Sequence, residues 1–171
     1  MEETTPAKPR PEIWEIMAKH TGQVSDATPQ ARAIGVIITE VTKANAIGEM
    51  PWREDLVGDV QSGTIASGAV ITFVDQICGA ACMAALTEPA GFATLDLRID
   101  YLRPSRRGHK LRAHANCYRI SRHVAFVRAF VFDGDSDEDK IAAVQATFMI
   151  IKSRKDMLKR PTPETNKGES A

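Results

Sequence analysis

The chain has 171 residues, of which 43% are hydrophobic, enough for one domain with a sizeable core. Basic and acidic residues number 22 each, so no overall field favours nucleic acid or an anionic membrane as a partner. The N-terminal segment is rich in proline and polar residues, without the apolar run of a secretory signal. Three cysteines without paired spacing (Cys78, Cys82 and Cys117) indicate reduced, buried thiols. We therefore expect a cytoplasmic protein without a metal site.

The first third of the chain predicts one short helix followed by two strands. Residues 1–10 are expected to be disordered, residues 11–155 to form a single domain and residues 156–171 to be a flexible tail. An amphipathic helix is predicted from Pro11 to about Gly22. Residues 34–51 are β-branched and alternating, which predicts two strands joined near residues 43–45. Residues 52–61 are expected to form a loop.

A long helix is predicted from about Ser67 to a point before Pro89. Residues 68–86 are small or apolar at nearly every position, a pattern typical of a helix enclosed by other elements. Asp75 interrupts this stretch and is therefore expected to be buried. An isolated buried carboxylate costs several kcal/mol. Either Asp75 has a chemical role, or it is satisfied by the backbone or by Gln76.

Four strands are predicted after the helix, at residues 94–102, 110–120, 124–132 and 140–152. In the first of them, Leu97 and its alternating apolar neighbours are expected to face the core, with Thr94 on the opposite face. The acidic segment 133–139 is expected to be a solvated loop. Short connections imply antiparallel neighbours. The fold class is therefore α+β: a hot-dog arrangement, with five to six antiparallel strands around one central helix and a short N-terminal helix.

Two segments resemble a known family. GTIASGAVITFVD (residues 63–75) and ATLDLRIDYLRP (residues 93–104) resemble the PaaI-like branch of the hot-dog acyl-CoA thioesterases, in the 4-hydroxybenzoyl-CoA thioesterase superfamily. The likeness extends more loosely over about residues 36–151. It implies hydrolysis of a CoA thioester to a free acid and CoA. The chain departs from the family in having Ala66-Ser67-Gly68 where relatives typically have His-Gly-Gly.

The resemblance also implies roles for single residues. Asp75 would be the general base or the nucleophile, and the sequence does not choose between these two. The amide of Ser67, with Gly68 beside it, would bind the oxyanion, unless Ser67 only caps the helix. Thr94 would reach Asp75 from a partner subunit and hold the attacking water, unless it is an ordinary strand residue. A site shared in this way predicts a homodimer or homotetramer.

Substrate contacts are predicted at two basic turns and beside Asp75. Arg122 and His123 lie in one turn, where the family contacts the nucleotide of CoA, and Arg103, Arg106 and Arg107 surround the other. Arginine suits phosphate because its planar fork makes two parallel hydrogen bonds. Such turns are also common as plain solvated loops. Gln76 is expected to contact the substrate, and no metal or redox cofactor is expected.

Three hypotheses follow from the sequence. The first is an acyl-CoA thioesterase. The second is a non-catalytic acyl-CoA or acyl-lipid binding protein, in which Ala66-Ser67 marks the loss of turnover. The third is a purely structural assembly domain, which leaves Asp75 unexplained.

Overall fold

The computed structural model describes residues 11–26, 28–137 and 139–151. Its helices are α1 (Ile13–Lys19), α2 (Thr21–Ser25), α3 (Pro29–Ile34) and α4 (Ser67–Ala84). Its strands are β1 (Ile37–Thr42), β2 (Asn45–Met50), β3 (Val57–Asp59), β4 (Thr64–Ile65), β5 (Gly91–Tyr101), β6 (Leu111–Ile120), β7 (Val124–Asp133) and β8 (Lys140–Ile151). The segments predicted to be disordered or flexible, residues 1–10 and 156–171, lie outside the described residues.

Six strands form one antiparallel sheet in the order β1-β2-β6-β7-β8-β5. The β6–β7 and β7–β8 connections are short, which places consecutive strands side by side, as predicted. Strand β5 is an edge strand, paired with β8 along one side only. The remaining two strands, β3 and β4, form a small separate ribbon before α4. The predicted hot-dog class is confirmed.

Helix α4 packs against the inner face of this sheet. Phe73, Val74 and Ile77 are fully buried, and a Cβ on Gly48 of β2 would lie 2.3 Å from the Ile77 side chain, so α4 rests directly on the backbone of β2. The helix is long and apolar enough to cross a membrane, a test that the core helix of a globular domain also passes. More than half of it is buried within the fold. We therefore interpret α4 as the core helix.

The N-terminal region differs from the prediction of one short helix, since it contains three. Helix α3 begins with Thr28, whose hydroxyl accepts from the Ala31 amide, and Pro29 occupies the first helical position. It ends at Gly35, which has the left-handed conformation (φ 77°) that favours glycine. The loop predicted at residues 52–61 was also incomplete, since it contains a 3₁₀ turn (Glu54–Leu56) and β3. Helix α3 brings Thr28 and Gln30 over the outer face of α4.

Candidate active site

Asp75 and Thr94 form a direct hydrogen bond at the outer face of α4. The Thr94 hydroxyl Oγ1 donates to Asp75 Oδ1 at 2.8 Å. Asp75 is half-buried, so the prediction of a fully buried carboxylate was wrong. The reason is that the face of α4 carrying Asp75 is not covered by the sheet. A carboxylate that is bound to a hydroxyl and still reachable from a cavity can act on a ligand.

A β-bulge places Thr94 on the helix side of β5. The pairing register of β5 with β8 shifts between Thr94 and Asp96, which leaves Leu95 as the extra residue. Thr94 and Leu97 therefore line the same cavity beside α4, and the prediction that they face opposite sides was wrong. Thr94 and Asp75 also belong to the same chain, so the expectation that Thr94 reaches Asp75 from a partner is contradicted.

Two cavities meet at Asp75. The outer cavity, about 410 Å³, is open and also touches Gln30, Ile71 and Thr72. The inner cavity, about 360 Å³, extends behind Asp75 between α4 and β5. Both are bordered by the same polar residues: Thr28, Asp75, Gln76 and Thr94. Asp75 thus lies where a polar entrance leads into an apolar space.

The polar residues around Asp75 are joined to the N-terminal helices. The Thr28 hydroxyl donates to Gln76 Oε1 at 3.3 Å, and Gln30 Nε2 donates to the Thr72 hydroxyl at 3.2 Å. Thr72 in turn donates to the carbonyl of Gly68. Thr28, Gln30 and Thr72 were not predicted as site residues. The Thr28-Pro29 pair, an ordinary helix-start signal, could have located α3 but not what it covers.

The beginning of α4 presents free backbone amides. Ala66 is the N-cap residue and makes no side-chain cap, so Ser67 does not cap the helix. The carbonyl of Ala66 accepts from the amides of Ala69 and Val70. Within the described part of the chain, the amides of Ser67 and Gly68 have no acceptor, and both residues are exposed. Free amides at a helix N-terminus attract negative charge.

In one chain, Asp75 and these amides are not brought together. Ser67 precedes Asp75 by eight positions, which is about 12 Å along a helix. The helix-start cavity, about 680 Å³, is lined by Ala66, Ser67 and Tyr101 and does not include Asp75. Within a single chain, Ser67 and Asp75 therefore line different cavities.

Tyr101 was predicted only as an apolar core residue. Its side chain is 48% exposed, and its hydroxyl donates to the carbonyl of Ser67 at 3.4 Å. Partial burial raises the pKa of Tyr101, so the phenol stays protonated at neutral pH.

The first arginine cluster is engaged by a buried aspartate. Asp133 Oδ1 accepts from Arg103 Nη2 and Arg106 Nη2, both at 2.7 Å, and the Asp133 side chain is fully buried. Burial alone would raise the pKa of Asp133, but the hydrogen bonds from both guanidinium groups outweigh it and hold the pKa well below its usual range. Arg103 also pairs with Asp139. The prediction that Asp133 belongs to a solvated loop was therefore wrong.

The remaining predicted cations are separate from Asp75. Arg107 donates to the carbonyls of Val60 and Gln61. Arg122 borders an end cavity of about 320 Å³ beyond the C-terminal end of α4, and it has no hydrogen-bond partner among the residues described. His123 is exposed in the same turn. None of the predicted cations lines a cavity that contains Asp75.

The cysteines are buried, as predicted. Burial raises the pKa of Cys78, and it raises the pKa of Cys82 to about 12, so both are thiols at neutral pH. In residues 11–26, 28–137 and 139–151, no cluster of three or more His, Cys, Asp or Glu could hold a metal ion. The cysteines are packing residues of α4 and β6.

The six-stranded antiparallel sheet and the long helix packed against it define a hot-dog fold. Residues 62–140 match the model of the thioesterase superfamily. This segment includes α4, Asp75 and Thr94. The resemblance inferred from the sequence is therefore confirmed at the level of this superfamily.

Comparisons with individual proteins are consistent with the superfamily match. The chain is 27% identical over 135 residues to the medium/long-chain acyl-CoA thioesterase YigI of Salmonella typhimurium, covering 71% of this chain and 85% of the relative. A solved Pseudomonas aeruginosa protein is 27% identical, with a TM-score of 0.69, over 78% of this chain and 98% of that one. The E. coli PaaI protein shares the fold at 17% identity, with a TM-score of 0.69, over 82% of this chain and 97% of that one.

Proposed function

We propose that this protein hydrolyses acyl-CoA thioesters to a free acid and CoA. The superfamily match and the relatives support thioester hydrolysis in general. The observation that carries the proposal is the 2.8 Å hydrogen bond from Thr94 to Asp75 at the entrance to an apolar cavity. A thioester presents a polar carbonyl attached to an apolar acyl group, and this entrance offers both environments.

Asp75 is proposed to begin the reaction in one of two ways. It either removes a proton from water, which then attacks the carbonyl, or attacks the carbonyl itself to give an anhydride that water opens. In both cases a new C–O bond forms and the C–S bond breaks. The sulfur leaves as a thiolate and takes up a proton, giving CoA. The reaction needs water as its only co-substrate. The cytoplasmic location of the protein stays a prediction.

We further propose that the site is completed by a second copy of the chain. The oxyanion needs a donor within hydrogen-bond distance of the same carbonyl, and the amides of Ser67 and Gly68 in one chain lie about 12 Å along the helix from Asp75. The unpaired edge of β5 and the exposed side chains of Leu95 and Leu102 offer a surface for such a copy. In this arrangement, the helix start of one chain would face Asp75 of the other.

The alternative is a protein that binds acyl-CoA without turnover. It is favoured by Ala66, which cannot form the hydrogen bond available to the histidine of typical relatives. Under this alternative, the apolar cavity would persist while the carbonyl lacks a positioning donor.

One comparison separates these proposals. Thiol release would be measured with acyl-CoAs from acetyl- to palmitoyl-CoA, and binding of the matching hydrolysis-resistant S-alkyl-CoA thioethers would be measured by calorimetry. A thioesterase releases thiol from at least one substrate and binds its analogue. Binding without release would contradict hydrolysis and support the binding protein. If the protein shows no binding and no thiol release, the assembly domain is favoured.

A further inference from the structure

The inner cavity becomes apolar away from Asp75. Apart from the polar residues at its entrance, it is lined by Val24, Gly79, Ala80, Met83, Phe92, Ala93 and Phe148. An uncharged aliphatic or aromatic group gains free energy by leaving water for such a space. The polar entrance is the place for a carbonyl, and the apolar remainder is the place for what the carbonyl carries.

The cavity has a direction along α4. Strand β5 runs antiparallel to the helix, since Asp75 contacts Thr94 and Gly79 lies against Phe92. From Asp75 toward the C-terminal end of α4, the cavity passes Gly79 and then reaches Met83, eight residues on. This distance is about 12 Å. An acyl chain entering at Asp75 would therefore point toward Phe92 and Met83.

Phe92 is held in place by Gly79. A Cβ on Gly79 would lie 3.0 Å from the Phe92 ring, closer than ordinary contact. The ring of Phe92 also meets Phe148 edge-to-face, with centroids 5.7 Å apart. Glycine inside a helix costs about 1 kcal/mol relative to alanine. The absence of a side chain at Gly79 makes room for the ring.

The end cavity lies beyond the inner cavity, near the C-terminal end of α4. Its lining includes Ala85, Ala90 and Ile150, each two positions beyond a residue of the inner cavity: Met83, Phe92 and Phe148. The two cavities therefore follow one another along α4, β5 and β8. Phe92 belongs to the lining of the inner cavity and not to that of the end cavity.

We propose that Phe92, seated on Gly79, narrows the acyl cavity between Asp75 and Met83 and sets the longest acyl chain that the site accepts. The proposal rests on the proposed function and adds a specificity-determining residue to it. Removing the ring enlarges the inner cavity toward its apolar end and lengthens the preferred acyl chain. Adding a methyl at Gly79 pushes the ring into the cavity and shortens the preferred acyl chain.

The experiment measures kcat/KM for straight-chain acyl-CoAs of graded length. Phe92→Ala and the milder Phe92→Leu are expected to move the optimum to longer chains, with about a tenfold or larger gain in the ratio of long to short substrates. Gly79→Ala is expected to move it to shorter chains. Phe126→Ala is the matched control, because Phe126 packs against Tyr118 and lines neither cavity. Thermal unfolding checks that each variant is folded.

Failure of this proposal can be told from failure of the proposed function. If wild type hydrolyses acyl-CoA and the Phe92 and Gly79 variants keep its length optimum, the proposal is wrong and the function stands. If wild type releases no thiol, the same length series is measured as binding of S-alkyl-CoA thioethers, and an unmoved optimum again overturns the proposal. An unmoved optimum together with weaker binding by Arg122→Ala would mean that the end cavity holds CoA phosphates instead.

Discussion

Thr94 Oγ1 lies 2.8 Å from Asp75 Oδ1, and both residues come from the same chain. The hydroxyl donates a hydrogen bond to the carboxylate, which holds the carboxylate on the cavity side of α4. A hydrogen bond to a charged group contributes more than one between neutral groups. This bond therefore orients the group that the proposed reaction depends on.

Thr94→Val removes this hydrogen bond while keeping the shape of the side chain. We expect kcat/KM for acyl-CoA to fall about tenfold to a hundredfold, since hydrogen bonds to charged groups contribute about 1.5–3 kcal/mol. Thr94→Ser keeps a hydroxyl and should retain most of the activity. Equal activity of the valine and serine variants would show that Thr94 has only a packing role.

Ser67→Pro tests the backbone amide at the start of α4. Proline is well tolerated at the first helical position, and Ala66 before it is already extended (ψ 135°). The substitution deletes the N–H and should lower kcat by about a hundredfold or more, as loss of an oxyanion donor does. Ser67→Ala keeps the amide and is expected to remain active. An active Ser67→Pro variant with an unchanged kcat would place the oxyanion elsewhere.

Mixing two inactive variants tests whether the site is shared between copies. Asp75→Asn retains the helix-start amide, and Ser67→Pro retains Asp75. If these groups meet across two chains, subunits exchanged by dilution and reassociation should recover part of the wild-type rate. A mixture that stays inactive, while native mass spectrometry shows mixed oligomers, would mean that each site lies within one chain.

Asp133→Asn tests the ion pairs with Arg103 and Arg106. The pKa of Asp133 is lowered in the folded chain, so these contacts add stability above the unfolded pKa and lose it as pH falls below about 4. At neutral pH the substitution should cost on the order of 3 kcal/mol in the free energy of unfolding. Chemical denaturation of both proteins between neutral and acidic pH measures this. A wild-type stability that does not fall more steeply with acid than that of the variant would contradict the assignment.

The fold was predictable because its signals are periodic and local. The run at residues 68–86 is small or apolar at nearly every position, the strands after it alternate, and the turn at 121–123 fixes its hairpin. The three N-terminal helices were harder to predict, since each has seven residues or fewer and gives little periodicity. Thr28-Pro29 and Gly35 do mark the start and the end of α3 in the sequence.

Two residues of the candidate site could be named from the sequence, but their geometry could not. Asp75 and Thr94 were identified by resemblance, and the structure joins them. Their relationship depended on the bulge at Leu95, which strict alternation cannot reveal. The ion pairs of the arginines could not be predicted for a similar reason: Asp133 lies about thirty residues away in sequence, and only the pairing of β6 with β7 brings it to Arg103.

The central claim is that Asp75 drives thioester hydrolysis. It is tested most directly by kcat for thiol release from the best acyl-CoA, compared between wild type and Asp75→Asn, with binding of the thioether analogue measured for both. The account predicts that kcat falls by about a hundredfold or more while the analogue still binds. An Asp75→Asn variant that releases thiol at the wild-type rate would contradict it.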